Sequence, residues 1–182
     1  MENSQVPIPS SFDVQPFVSH SYLTLSESED PLARLEREPL VYDMLKAAGA
    51  SIPYKPWEDQ QEAVQAVLKV WSKLKHEQTE NFRSKKGKAD PKLMGKAFCI
   101  CLGILYWVNG RYVPSLRVEE LPEVMELQYK PVNSLERLQY IHRQPVQYHS
   151  FVQIVQLLEE IEKLHVKLMI LSRNEKKEGA QR

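Results

Sequence analysis

Ala97-Phe-Cys-Ile-Cys-Leu-Gly-Ile-Leu-Tyr-Trp-Val108 is an unbroken block of twelve residues with no charge among them. A bilayer-crossing helix needs about 20 apolar residues, so this block is too short to span one. It has the length of a helix buried on all sides within a bundle. Asp90-Pro91 sets its start: aspartate is a strong N-cap, and proline suits the first helical position. Asn109-Gly110 sets its stop. The expected fold is therefore all-α: a compact bundle of about five or six helices around a central apolar helix at about 91–108.

The flanking segments read as the wrapping helices. Asp30-Pro31 repeats the cap-and-proline signal, Pro39 interrupts or restarts the helix, and Gly49 stops it. Ile52-Pro-Tyr-Lys-Pro-Trp57 is an extended connector, because residues before proline avoid the helical region. From about Glu58, Val64, Val67, Leu68, Trp71 and Leu74 recur at spacings of three and four, which predicts a long amphipathic helix. A short helix is expected at Glu119–Leu127. Asn133 with Glu136 three residues on resembles a capping box opening a helix over Leu135–His142.

Pro145 opens the last helix, which is long and amphipathic. Ile154, Leu157, Ile161, Leu164, Leu168 and Leu171 form a heptad seam in it. Val155 and Leu158 widen the stripe, which favours packing within one chain, and hence a monomer, over a two-stranded dimer.

Three parts are expected along the chain: a poorly ordered acidic arm over 1–30, one helical domain over 31–173, and a charged, frayed tail over 174–182. Proline and serine break any period in the arm. Phe12, Phe17, Tyr22 and Leu23 are its candidate anchors to the body. Residues 1–62 hold 11 acids and 4 bases, whereas residues 63–96 hold 3 acids and 9 bases. Lys plus Arg and Asp plus Glu both total 24, so no net field favours nucleic acid or a membrane surface. Glu2 stands where a basic leader segment would sit and no apolar run follows it, so the expected compartment is the cytoplasm. Cys99 and Cys101 point about 200° apart on a helix and read as reduced core residues, not half of a metal site.

Catalytic signatures are sparse. The chain has 6 glycines and no Gly-x-Gly, so it lacks a phosphate-cradling loop. It also lacks His-Glu-x-x-His and a nucleophile elbow. The sequence gives no ground for a metal or a cofactor. One stretch is densely polar, Lys130-Pro-Val-Asn-Ser-Leu-Glu-Arg-Leu-Gln-Tyr-Ile-His-Arg-Gln-Pro-Val-Gln-Tyr-His-Ser-Phe151. Lys130, Asn133, Glu136, Arg137, Tyr140 and Tyr148 are its candidate interaction surface. Alternatively, Arg137 pairs with an acid of a neighbouring helix and the tyrosines are half-buried. A third reading is acid–base chemistry by Glu136 with His142 or His149. A second cluster, Arg83, Lys85, Lys86, Lys88, Lys92 and Lys96, has the character of a phosphate-binding run, although only Phe82 lies beside it for stacking.

Three segments together resemble the YpoC-like family, small uncharacterised proteins of Gram-positive, spore-forming bacteria. They are Leu105-Tyr-Trp-Val-Asn-Gly110, Lys130-Pro-Val-Asn-Ser-Leu-Glu-Arg-Leu-Gln-Tyr-Ile141 and Pro145-Val-Gln-Tyr-His-Ser-Phe151. The resemblance covers about residues 50–171 and leaves the N-terminal arm unmatched. It implies a helical cytosolic domain and brings no established active residue. The leading expectation is a non-catalytic module that contacts another protein. A nucleic-acid-binding accessory protein and an enzyme stand behind it.

Overall fold

The computed structural model describes residues 3–84 and 88–179. Among them are six α-helices, a 3₁₀ turn and one two-stranded sheet. The helices are α1 (Pro31–Arg37), α2 (Val41–Ala47), α3 (Gln60–Ser84), α4 (Pro91–Trp107), α5 (Ser134–Arg143) and α6 (Tyr148–Gly179), and the 3₁₀ turn is Leu121–Glu126.

Helix α4 is the central rod. Asp90 Oδ1 accepts from the backbone N–H groups of Lys92 and Leu93 at 2.8 and 3.2 Å, and Pro91 follows as the first helical residue. Every residue from Ala97 to Trp107 is buried, with Phe98, Ile100, Leu102, Ile104, Leu105 and Trp107 fully enclosed. Helices α3 and α6 pack on α4, α1 packs on α3, and α5 joins α6 to the 3₁₀ turn. Gly110 ends α4 at φ +68°: its N–H reaches Trp107 O while Arg111 N–H reaches Tyr106 O, a left-handed cap that suits glycine.

Two expectations are corrected. The first is the poorly ordered arm. Residues 3–26 form an antiparallel hairpin, β1 (Asn3–Pro7) on β2 (Tyr22–Ser26), with Val6 opposite Leu23. Its long connection lies across α4, so Phe12, Phe17, Val18 and Leu23 are core, whereas Tyr22 is exposed. Phe17 stacks against Phe98 and His142 at 4.4 and 4.8 Å. The seat is made by Gly95, where a Cβ would stand only 2.4 Å from Pro16 O. Ser11 O accepts from Leu116 N and Ser115 Oγ at 2.8 and 3.0 Å. Scattered aromatic anchors carry no period, so contacts far apart in sequence order this segment where local pattern does not.

The second correction concerns Asn133. It is in the left-handed conformation (φ 56°, ψ 31°) and its side chain caps nothing. The capping box therefore does not form, and Ser134 Oγ instead donates to Pro131 O at 2.5 Å. The short helix expected at Glu119–Leu127 is present as a 3₁₀ helix over Leu121–Glu126, with Pro122 near its start. The last helix begins at Tyr148, three residues after the expected Pro145. In its heptad seam Ile154, Leu157 and Ile161 are buried. Leu164 and Leu168 are half-buried and Leu171 is exposed.

Candidate functional site

The polar stretch divides between two faces of α6. Asn133, Glu136, Arg137 and Tyr140 of α5 join His149 and Gln153 of α6 around one open depression of about 410 Å³. Glu136 and Tyr140, four apart, share one face of α5. Arg137 is the tie beneath them. Its Nε donates to Gln153 Oε1 at 2.8 Å, and one terminal nitrogen donates to Glu160 Oε1 at 3.0 Å. Only 15% of the Arg137 side chain is exposed, so it spends its charge within the molecule. The Tyr140 ring meets His149 edge-on at 5.0 Å, and the His149 ring nitrogen lies 3.2 Å from Gln153 Nε2.

Two expected members lie elsewhere. Lys130 folds back, its Nζ donating to Leu127 O at 2.5 Å. Tyr148 faces a different side of α6, 58% exposed, with Phe82 of α3 edge-on at 5.0 Å. Consecutive helical residues point about 100° apart, so Tyr148 and His149 flank the helix. The site residues that sequence reasoning passed over are His149, as part of the surface, and Gln153. Their signal was the i, i+4 step from His149 to Gln153.

His142 does not join Glu136. Its Nε2 bonds Leu116 O at 2.9 Å, and its ring lies against Phe17 and Phe98. Glu136 and His149 do line the same depression.

The basic run is dispersed. Arg83 pairs with Glu80 at 2.8 Å on α3. Lys88 is exposed and bridges Gln147 through its backbone, and Lys92 is exposed in the first turn of α4. Lys96 is half-buried: burial lowers its pKa, and the nearby Glu38 opposes that change. Glu38 in turn has its pKa raised by burial, against the pull of His20, 3.1 Å away, and of Lys96. Lys85 and Lys86 lie outside the described residues.

Two thiols and one carboxyl are buried outright. Cys99 and Cys101 are free, and burial pushes the Cys101 thiol up to about 12 and raises Cys99 well above its ordinary value. Asp43 of α2 is fully enclosed. Its Oδ1 accepts from Val113 N–H at 2.6 Å and Trp107 Nε1–H at 3.2 Å, while Oδ2 has no partner. Burial raises its pKa from 3.8 to about 7, partly offset by those two donors. The sequence did carry a sign of it: one acid within Leu40-Val-Tyr-Asp-Met-Leu45. Among the described residues no group of three or more His, Cys, Asp or Glu side chains is placed to hold a metal ion, and no helix is long and apolar enough to cross a membrane.

The architecture defines a small helical-bundle protein, clamped by an N-terminal hairpin and carrying a shallow polar face. A model of the YpoC-like protein family matches residues 61–173. A protein of Bacillus subtilis (strain 168) named "Uncharacterized protein YpoC" is 31% identical over 146 residues, which is 80% of this chain and 87% of that relative. No solved structure matches the chain. The chain belongs to the YpoC-like family.

Proposed function

We propose that this YpoC-like protein is a cytoplasmic, non-catalytic interaction module. Its contact surface on another protein is the α5–α6 depression, where Glu136, Tyr140 and His149 offer hydrogen-bonding groups to the partner. The observation that carries the reading is the state of Arg137. Its bonds to Gln153 and Glu160 hold the two helices in register, so the surrounding groups are presented on rigid elements. A pre-ordered polar surface loses little entropy on docking. The depression is wide and shallow, unlike the enclosed site in which acid–base chemistry gains from excluded water.

The test is site-specific photo-crosslinking in cells. A photoreactive phenylalanine analogue replaces Tyr140, and a control places it at Glu27 on the exposed hairpin end. The expected result is a discrete protein adduct from position 140 that is absent from position 27. Adducts identical at both positions, or none from position 140, overturn the reading.

A further inference from the structure

Two wells open along the seam between α3 and α6. The larger, about 570 Å³, lies at the Phe82–Tyr148 end, and three of its polar groups are already engaged. Lys75 pairs with Glu159 at 3.3 Å, Arg83 pairs with Glu80 at 2.8 Å, and Thr79 Oγ1 donates to Lys75 O at 2.7 Å. The smaller, about 270 Å³, lies between the first half of α3 and the second half of α6. Val64 and Leu68 of α3 and Val166, Met169 and Ile170 of α6 give it apolar walls, and His165 lines it with them.

His165 is unlike the other buried polar residues. Arg34, Asp43, Gln78, Ser115, Ser134 and Ser150 each make at least one hydrogen bond. His165 is 7% exposed, and among the described residues it is the one buried polar side chain with no hydrogen-bond partner. The fully enclosed side-chain atoms that lack a partner are Asp43 Oδ2 and Gln78 Nε2, and the His165 nitrogens are not among them. They keep access to open space, and the space that the ring lines is the well.

A polar group at an apolar wall needs a bonding partner. Water can serve the imidazole, but it also wets the walls around it. A ligand with a polar head and an apolar body bonds the ring and dries the walls together. Burial lowers the His165 pKa below its ordinary 6.5, and no neighbouring charge acts on the ring. At neutral pH the imidazole is therefore uncharged and offers one N–H donor and one acceptor nitrogen. Glu162 and Arg173 are the first and last α6 residues of the lining, about 16 Å apart along the axis. An ionic head beside His165 would be desolvated with no close counter-charge. A hydroxyl matches the ring, since it both donates and accepts, and it leaves no second polar atom facing the walls. The volume lies just below the roughly 300–1,000 Å³ of pockets for drug-sized ligands, so the occupant has about ten non-hydrogen atoms or fewer.

We infer that the His165 well is a binding site for a small, uncharged apolar molecule carrying one hydroxyl, of the phenol or branched-alcohol class. It lies on another pair of helices than the α5–α6 depression, and either assignment stands or falls without the other.

Nuclear magnetic resonance titration of the full chain with p-cresol tests it. The expected result is a saturable shift of the His165 ring and Met169 methyl signals, with nuclear Overhauser contacts from both to the ligand. The expected Kd is about 1 mM or below. Toluene, which has the same body without the hydroxyl, is expected to bind about tenfold more weakly, the worth of one neutral hydrogen bond. The 4-methylbenzoate anion and 4-methylbenzylammonium are also expected to bind more weakly than p-cresol. His165→Gln should keep the preference for the hydroxyl, and His165→Leu should abolish it. A wild-type chain that shows no saturable shift, or contacts at Phe82 and Tyr148 instead, overturns the site. Toluene or either ion binding as tightly as p-cresol overturns the ligand class, as does a preference that survives in a folded H165L.

Discussion

Replacing Asp43 by Asn would remove a pH dependence whose size follows from the structure. Asp43 is wholly buried, and its carboxyl pKa rises from 3.8 to about 7 because burial penalises the charge more than the Val113 and Trp107 donors favour it. Below pH 3.8 the carboxyl is protonated in both the folded and unfolded chain, and its contribution to stability is fully present. Between 3.8 and about 7 the unfolded chain ionises while the folded chain keeps its proton, so stability falls as pH rises. The interval of about three pH units, at about 1.36 kcal/mol each, makes the loss roughly 4 kcal/mol, complete above about pH 7. Asparagine keeps an acceptor for both donors, and its NH₂ takes the place of the unpartnered Oδ2–H. The variant and wild type are therefore expected to match near pH 4. At pH 8 the variant should be the more stable, by up to roughly 4 kcal/mol. Urea denaturation followed by far-ultraviolet circular dichroism at several pH values measures the difference, in which all other titrating groups cancel. Parallel stability curves from pH 4 to 8, or a less stable D43N at pH 8, would falsify the argument and make Asp43 a carboxylate held by its two donors.

Three further outcomes are expected. Gly95→Ala places a methyl group against the backbone at Pro16 and Phe17 and should cost about 2 kcal/mol or more, read as a lowered Tm; an unchanged Tm would mean the N-terminal connection does not sit on α4. Arg137→Ala should lose about 1–2 kcal/mol, because Gln153 and Glu160 lose their shared donor. Arg137→Lys should recover only part of that loss in urea titrations, since an ammonium lacks the planar fork, and full recovery would show that charge alone matters. Cys99 and Cys101 should resist a thiol-specific disulfide reagent at pH 8 and react once guanidinium unfolds the chain, whereas release within minutes in native buffer would contradict their burial.

Much of the helical frame was legible because its signals are local. Asp30-Pro31 and Asp90-Pro91 both cap helices as read, with each aspartate accepting two backbone N–H bonds. Gly49, at φ +67°, ends α2 as read. The 3.6-residue period placed Val64, Val67, Trp71 and Leu74 on the buried face of α3. Asn133 shows the limit of a motif: its spacing to Glu136 suits a capping box, but its backbone is left-handed and its side chain makes no capping hydrogen bond. Of the polar surface, the shared face of Glu136 and Tyr140 follows from their spacing of four, whereas the joining of Asn133 and Arg137 to it around one depression does not. Tyr148 was misplaced because proximity in sequence says nothing about which side of the next helix a residue faces.

Local pattern is enough to set helices around an uncharged rod at Ala97–Val108, since burial of twelve apolar residues and a fixed helical repeat leave little alternative. Three features arise only from packing: the seat of the Phe17 connection on Gly95, the enclosure of Asp43 beneath Trp107 and Val113, and the partition of the polar stretch across α6. Each depends on groups tens of residues apart meeting in space, and no pattern along the chain records that meeting.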